Sequence, residues 1–99
     1  MIRHIVMWNL NEGFTEEENK INLQKIKNEL EKLKDIIEGI ISLEVIIDPI
    51  AGSNKDLVLN SLFKGTKELE NYQTHPEHLR IGKFARNVTC DRVCIDYVE

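Results

Sequence analysis

The chain is expected to fold as an α+β domain, a four-stranded antiparallel sheet with helices on one face, in the order β-α-β-β-α-β. Three observations predict it. Segments rich in β-branched and aromatic residues fall at 2–10, 40–48, 56–64 and 89–98. The two wide gaps between them carry apolar residues at helical spacing. No internal repeat or low-complexity tract divides the 99 residues, so they form one domain, 1–99.

The first strand has two largely apolar faces, one with His4, Val6, Trp8 and Leu10, the other with Arg3, Ile5, Met7 and Asn9. Thr15 followed by Glu16, Glu17 and Glu18 is a capping box: threonine at the N-cap, glutamate at the third helical position. The acidic first turn also suits the positive end of the helix dipole. Ile26, Leu30, Leu33 and Ile37 then recur at helical spacing, and Gly39 marks the stop. The second strand places Ile41, Leu43, Val45 and Ile47 on one face and Ile40 and Ile46 on the other. Pro49 to Lys55, with Gly52, Ser53 and Asn54, reads as a loop and a candidate lid. In the third strand Leu57, Leu59 and Phe63 oppose Val58 and Leu62. Proline is welcome at the first position of a helix, so Pro76 splits the next region into helices over about 66–73 and 76–86.

This order is the ferredoxin-like pattern, and it has a consequence. The helices cover one side of the sheet, yet three strands are apolar on both sides. A bare apolar face of that size is more than a soluble monomer exposes. The expected remedy is a two-fold homodimer whose sheets pack face to face into a barrel-like core, a dimeric α/β barrel.

Composition excludes several functions. A net charge of −4 argues against nucleic acid, whose backbone demands a basic surface. No apolar run approaches the roughly 20 residues of a membrane span. The N-terminus enters a strand pattern directly, without a signal-peptide pattern, so a cytoplasmic location is expected. Cys90 and Cys94, four apart in an extended strand, are expected to share a face about 13 Å apart. That is beyond the roughly 7 Å limit between the Cα atoms of a disulfide.

The chemistry concentrates in Tyr72-Gln73-Thr74-His75-Pro76-Glu77-His78, which holds one of two tyrosines and two of three histidines. His75 falls at a helix N-cap and His78 in the first turn, where the dipole disfavours imidazolium and keeps a base neutral. Tyr72, one turn upstream, is placed to donate to a developing oxyanion. The candidate catalytic pair is therefore His78 and Tyr72. The candidate ligand-binding residues are His4, Val6, Trp8 and His75, around a pocket with apolar walls and few polar groups. No HExxH motif or carboxylate-rich partner accompanies the histidines, and no metal is expected. There is no glycine-rich phosphate loop either, and no cofactor is expected.

The opening His4-Ile5-Val6-Met7-Trp8, the Leu43-Glu44-Val45 strand, Asp56-Leu57-Val58-Leu59 and above all Leu69 to His78 resemble the stress-responsive A/B barrel (Dabb) family. The resemblance spans nearly the whole chain, and the Tyr-Gln-x-His-Pro-x-His element is its most specific part. It implies the dimeric α/β barrel. Many members have no assigned activity. One plant member closes a linear polyketide by an aldol reaction without a cofactor, using a tyrosine and a histidine matched here by Tyr72 and His78, with a pocket histidine matched by His4. Two further polar positions of that enzyme are matched by apolar Leu57 and Ile26, so polyketide cyclisation is not carried over.

The expected function is that of a Dabb protein of undetermined activity, binding a small apolar or aromatic metabolite between sheet and helices. One alternative is a cofactor-independent enzyme of cyclase or isomerase type, in which His78 removes a proton next to a carbonyl and Tyr72 steadies the enolate. The other is a monooxygenase of the antibiotic-biosynthesis type, for which the fold alone speaks. The expected partners are a second copy of the chain and a small molecule, with neither nucleic acid nor membrane.

Overall fold

The computed structural model describes all residues, Met1–Glu99. Its elements are β1 (Ile2–Leu10), α1 (Glu16–Ile36), β2 (Ile40–Ile46), β3 (Leu57–Phe63), α2 (Thr66–Thr74), α3 (Pro76–Val88) and β4 (Thr89–Val98). The strands form one antiparallel sheet in the order β2-β3-β1-β4. The ferredoxin-like arrangement follows, with the helical segment after β3 broken at His75 as its proline requires.

The capping box forms as read. The Thr15 hydroxyl accepts from the Glu18 backbone N–H at 3.1 Å, and the Glu18 carboxylate accepts from the Thr15 N–H at 2.9 Å. Ile26, Leu30 and Leu33 of α1 are buried. Past α1 the chain turns at Gly39, in the left-handed region at φ 93°. A side chain there would meet Glu68 Cγ at 2.5 Å, so glycine serves both the turn and the close approach. Lys27 and Glu31 of α1 reach the outer edge of β2, where Lys27 Nζ donates to the Val45 carbonyl (2.6 Å) and Glu31 accepts from the Val45 N–H (3.0 Å). That edge is thereby blunted against pairing with another chain.

Two bulges correct the alternation expected from sequence. Between Ile40 and Ser42 the β2–β3 register slips by one residue, so Ile41 is unpaired and 39% exposed. Ile40 then pairs with Phe63 and packs against the core, on the same side as Leu43 and Val45 rather than opposite them. The second slip lies between Met7 and Asn9, where Trp8 faces two residues of β4, Asp91 and Arg92. Asp91 takes a left-handed conformation at φ 52°, which its short polar side chain tolerates. Cys90 pairs with Asn9 and Cys94 with Val6, so the cysteines lie on opposite faces, not on one. β2 also ends at Ile46, two residues early, because its last partner is Val58 and β3 begins at Leu57.

The buried residues of the sheet, from Ile2, His4 and Val6 through Leu57, Leu59 and Phe63 to Thr89, all lie on the helix side. On the other side Ile5 pairs with Ile95 and Met7 with Val93. Ile95 is 57% exposed and Val93 48%. The apolar uncovered face expected from the strand pattern is present. No helix is long and apolar enough to cross a membrane.

Thr15→Ala removes the cap from the longest helix and is expected to lower unfolding free energy by about 1 kcal/mol. Urea denaturation of the two proteins at equal concentration should show a lower midpoint with an unchanged m value.

Candidate functional site

Four rings converge where α2, α3 and the sheet meet. Tyr72, in the last turn of α2, is wholly buried. Its ring lies 4.9 Å from Phe63 and 4.3 Å from His78, centroid to centroid, and His4 stands edge-on at 6.2 Å. These separations suit tilted and edge-to-face packing. The Tyr72 hydroxyl is buried with no hydrogen-bond partner in the protein. Burial raises its pKa far above the usual tyrosine value, partly opposed by the charge of Arg92, so it stays a protonated donor.

His78 is half-buried, and its Nδ1 lies 3.2 Å from the Gln73 carbonyl. A carbonyl only accepts, so Nδ1 carries the proton and the neutral ring keeps its lone pair on Nε2. Burial pushes the imidazole below its ordinary 6.5. The Gln73 carbonyl opposes this, and the facing charges of His4, Arg92 and Arg86 add to the depression.

His4 is buried at 2% exposure, and its Nδ1 meets the Asp96 carboxylate at 2.5 Å. The neighbouring Cys94 Sγ lies 3.8 Å from the same nitrogen. Burial and the Asp96 charge raise the Cys94 thiol, against the pull of Arg92, which keeps it protonated and a poor nucleophile. His4, Cys94 and Asp96 are close enough to share one cation, their donor atoms lying within 4.8 Å of one another. His4 and Asp96 already satisfy each other.

A cavity of about 220 Å³ opens beside these rings. Its walls are Val6, Trp8, Leu30, Leu59, Ile81 and Ala85, and its polar lining is His4, Tyr72, His78, Arg86 and Arg92, with Gly82 completing it. His4, Val6, Trp8, Tyr72 and His78, all singled out from sequence, are thus brought together. His75 is not among the lining residues. Its side chain turns back to cap α3, accepting from the Glu77 N–H at 3.1 Å. Sequence reading missed Arg86, Arg92 and Asp96. Arg86 falls one turn beyond Gly82 and two beyond His78 at helical spacing, a signal that was available. Arg92 faces the cavity together with buried Thr89 only because the β4 bulge inserts a residue between them. Asp96 is aligned with His4 by strand register.

The fold and cavity define a ferredoxin-like α+β domain with a tyrosine–histidine pocket under its helices. The chain matches the stress-responsive A/B barrel domain over residues 2–99 and belongs to that family. It is similar to a dimeric protein of unknown function from Bacteroides fragilis, 30% identical with a TM-score of 0.90, covering 97% of this chain and 93% of that one. A dimeric ferredoxin-like protein from Thermobifida fusca is 23% identical with a TM-score of 0.83, covering 99% and 90%. The hydroxynitrile lyase of Passiflora edulis shares the fold at 16% identity, with a TM-score of 0.80 and coverage of 99% and 92%. None of the curated proteins matches the chain.

Two outcomes are expected. Tyr72→Phe deletes a buried hydroxyl without a protein partner, so stability should hold or rise by up to about 1 kcal/mol, against a loss of about 3–5 kcal/mol for Tyr72→Ala on the scale of large aromatic truncations. Thermal unfolding distinguishes them. The titration of His78 should fall below 6.5 by NMR. Because the unfolded chain then takes up the proton first, the His78 contribution is complete above about pH 6.5 and is lost as pH falls through the lower folded value.

Proposed function

We propose that the cavity binds a small, largely apolar metabolite, with the Tyr72 hydroxyl and His78 Nε2 as its polar anchors. The Tyr72 hydroxyl carries this reading. A buried donor left without a partner costs about 1–3 kcal/mol, and an acceptor on a ligand recovers that loss. The volume of about 220 Å³ lies below the roughly 300–1,000 Å³ of sites for drug-sized molecules, so the ligand is smaller.

One observation favours turnover as a second reading. A neutral His78 holding its proton on Nδ1 presents a base, and Tyr72 presents a donor that never ionises near neutral pH. Together they fit removal of a proton next to a carbonyl, with the enolate oxygen received by Tyr72. His4, oriented by Asp96, supplies a further polar group in the same wall.

We further propose that the chain works as a two-fold homodimer through the uncovered sheet face. The dimeric character of the similar structures and the exposed Val93 and Ile95 support this.

The binding reading is tested by isothermal titration with small aryl ketones. Saturable binding that weakens about tenfold in Tyr72→Phe is expected, while equal affinity in both proteins rejects the anchor role. For turnover, exchange of the ketone α-protons into heavy water should be abolished by His78→Ala and slowed about 10²-fold by Tyr72→Phe. In sedimentation the protein should run at twice the chain mass at micromolar concentration, and Ile5→Asp should return it to a monomer.

A further inference from the structure

We infer that the cavity selects small carboxylates, with the apolar body of the ligand against the sheet and its anionic head at the mouth, between Arg86 and Arg92. This rests on the pocket reading above and names its ligand class.

The chain has four arginines. Arg3 is paired with Glu99 at 2.7 Å, and Arg80 with Glu29 and Glu77 at 2.8 and 3.2 Å. Arg86 and Arg92 form no salt bridge, and these are the two that line the cavity. The chain carries 17 acidic residues against 13 basic ones, so two neighbouring cations without a carboxylate run against its overall charge. No aspartate or glutamate lines the cavity. Its remaining polar groups are the buried Tyr72 donor and two imidazoles. A cavity bordered by cations and a donor, with no anion in its wall, is complementary to an acceptor-rich, negatively charged molecule.

The two arginines come from different elements, the last turn of α3 and the bulge of β4. Both side chains are exposed. They can keep their hydration until a ligand arrives, and a guanidinium fits a carboxylate with two parallel hydrogen bonds. Their positive charge also reaches inward, since both depress His78. A neutral ligand would gain less from either arginine, since its carbonyl accepts a hydrogen bond without a charge to pair.

The test compares phenylacetate and hexanoate with phenylacetamide and hexanamide on the full-length protein, by quenching of Trp8, the single tryptophan and a cavity residue. Each acid is expected to bind about tenfold more tightly than its amide at low salt. Arg86→Met and Arg92→Met should each weaken the acids about tenfold and the amides by much less, while Arg92→Lys keeps part of the effect. Equal binding of acids and amides, or acids indifferent to both Met substitutions, overturns the inference but leaves the pocket reading standing. If neither acids nor amides quench saturably up to millimolar concentration, the pocket reading falls and this inference with it.

Discussion

The burial of the Tyr72 ring between Phe63 of the sheet and His78 of α3 is the contact on which the site depends. It ties α2, β3 and α3 at one point, and the ring is wholly buried there. The break at His75-Pro76 makes it possible. Were the helix continuous, His78 would follow Tyr72 around one cylinder. With the break, α3 starts afresh, capped by His75, and its first turn brings His78 onto the tyrosine ring.

The same packing sets the chemistry. Burial keeps the Tyr72 hydroxyl protonated and His78 neutral, so a donor and a base coexist at physiological pH without either being charged. The permanent charges of the lining are Arg86 and Arg92, both exposed, while Asp96 stands behind the buried His4. The apolar walls and the two guanidinium groups thus belong to different parts of the cavity. The hydroxyl left without a protein partner belongs to the same pattern. Stability alone does not favour it, and rules broken locally tend to mark functional sites.

Similarity to dimeric structures gives the other sheet face its meaning. The helices cover one side, while Ile5, Met7, Val93 and Ile95 lie on the other. An apolar sheet face beside a closed core is what the homodimer proposed above would cover.

Most of the fold was legible in the residues. The capping box, the proline at the start of α3, the helical spacing of Ile26, Leu30 and Leu33 and the strand segments are local signals with local causes, and each formed. The histidine–tyrosine segment drew attention to His78 and Tyr72, and strand alternation put His4, Val6 and Trp8 on a shared face. His75 could not be assigned in advance, because an N-cap histidine can turn outward to a ligand or back to its own helix. The two bulges were invisible, since nothing in the composition of Ile40-Ile41-Ser42 or Cys90-Asp91-Arg92 announces a slipped register. Parity along a strand depends on its partner, and one inserted residue reverses every face beyond it. Sequence by itself therefore determined which elements exist and which residues could do chemistry. The tertiary structure decided that Arg92 joins Arg86 at the mouth and that Asp96 holds His4, because those meetings depend on pairing between strands more than eighty residues apart.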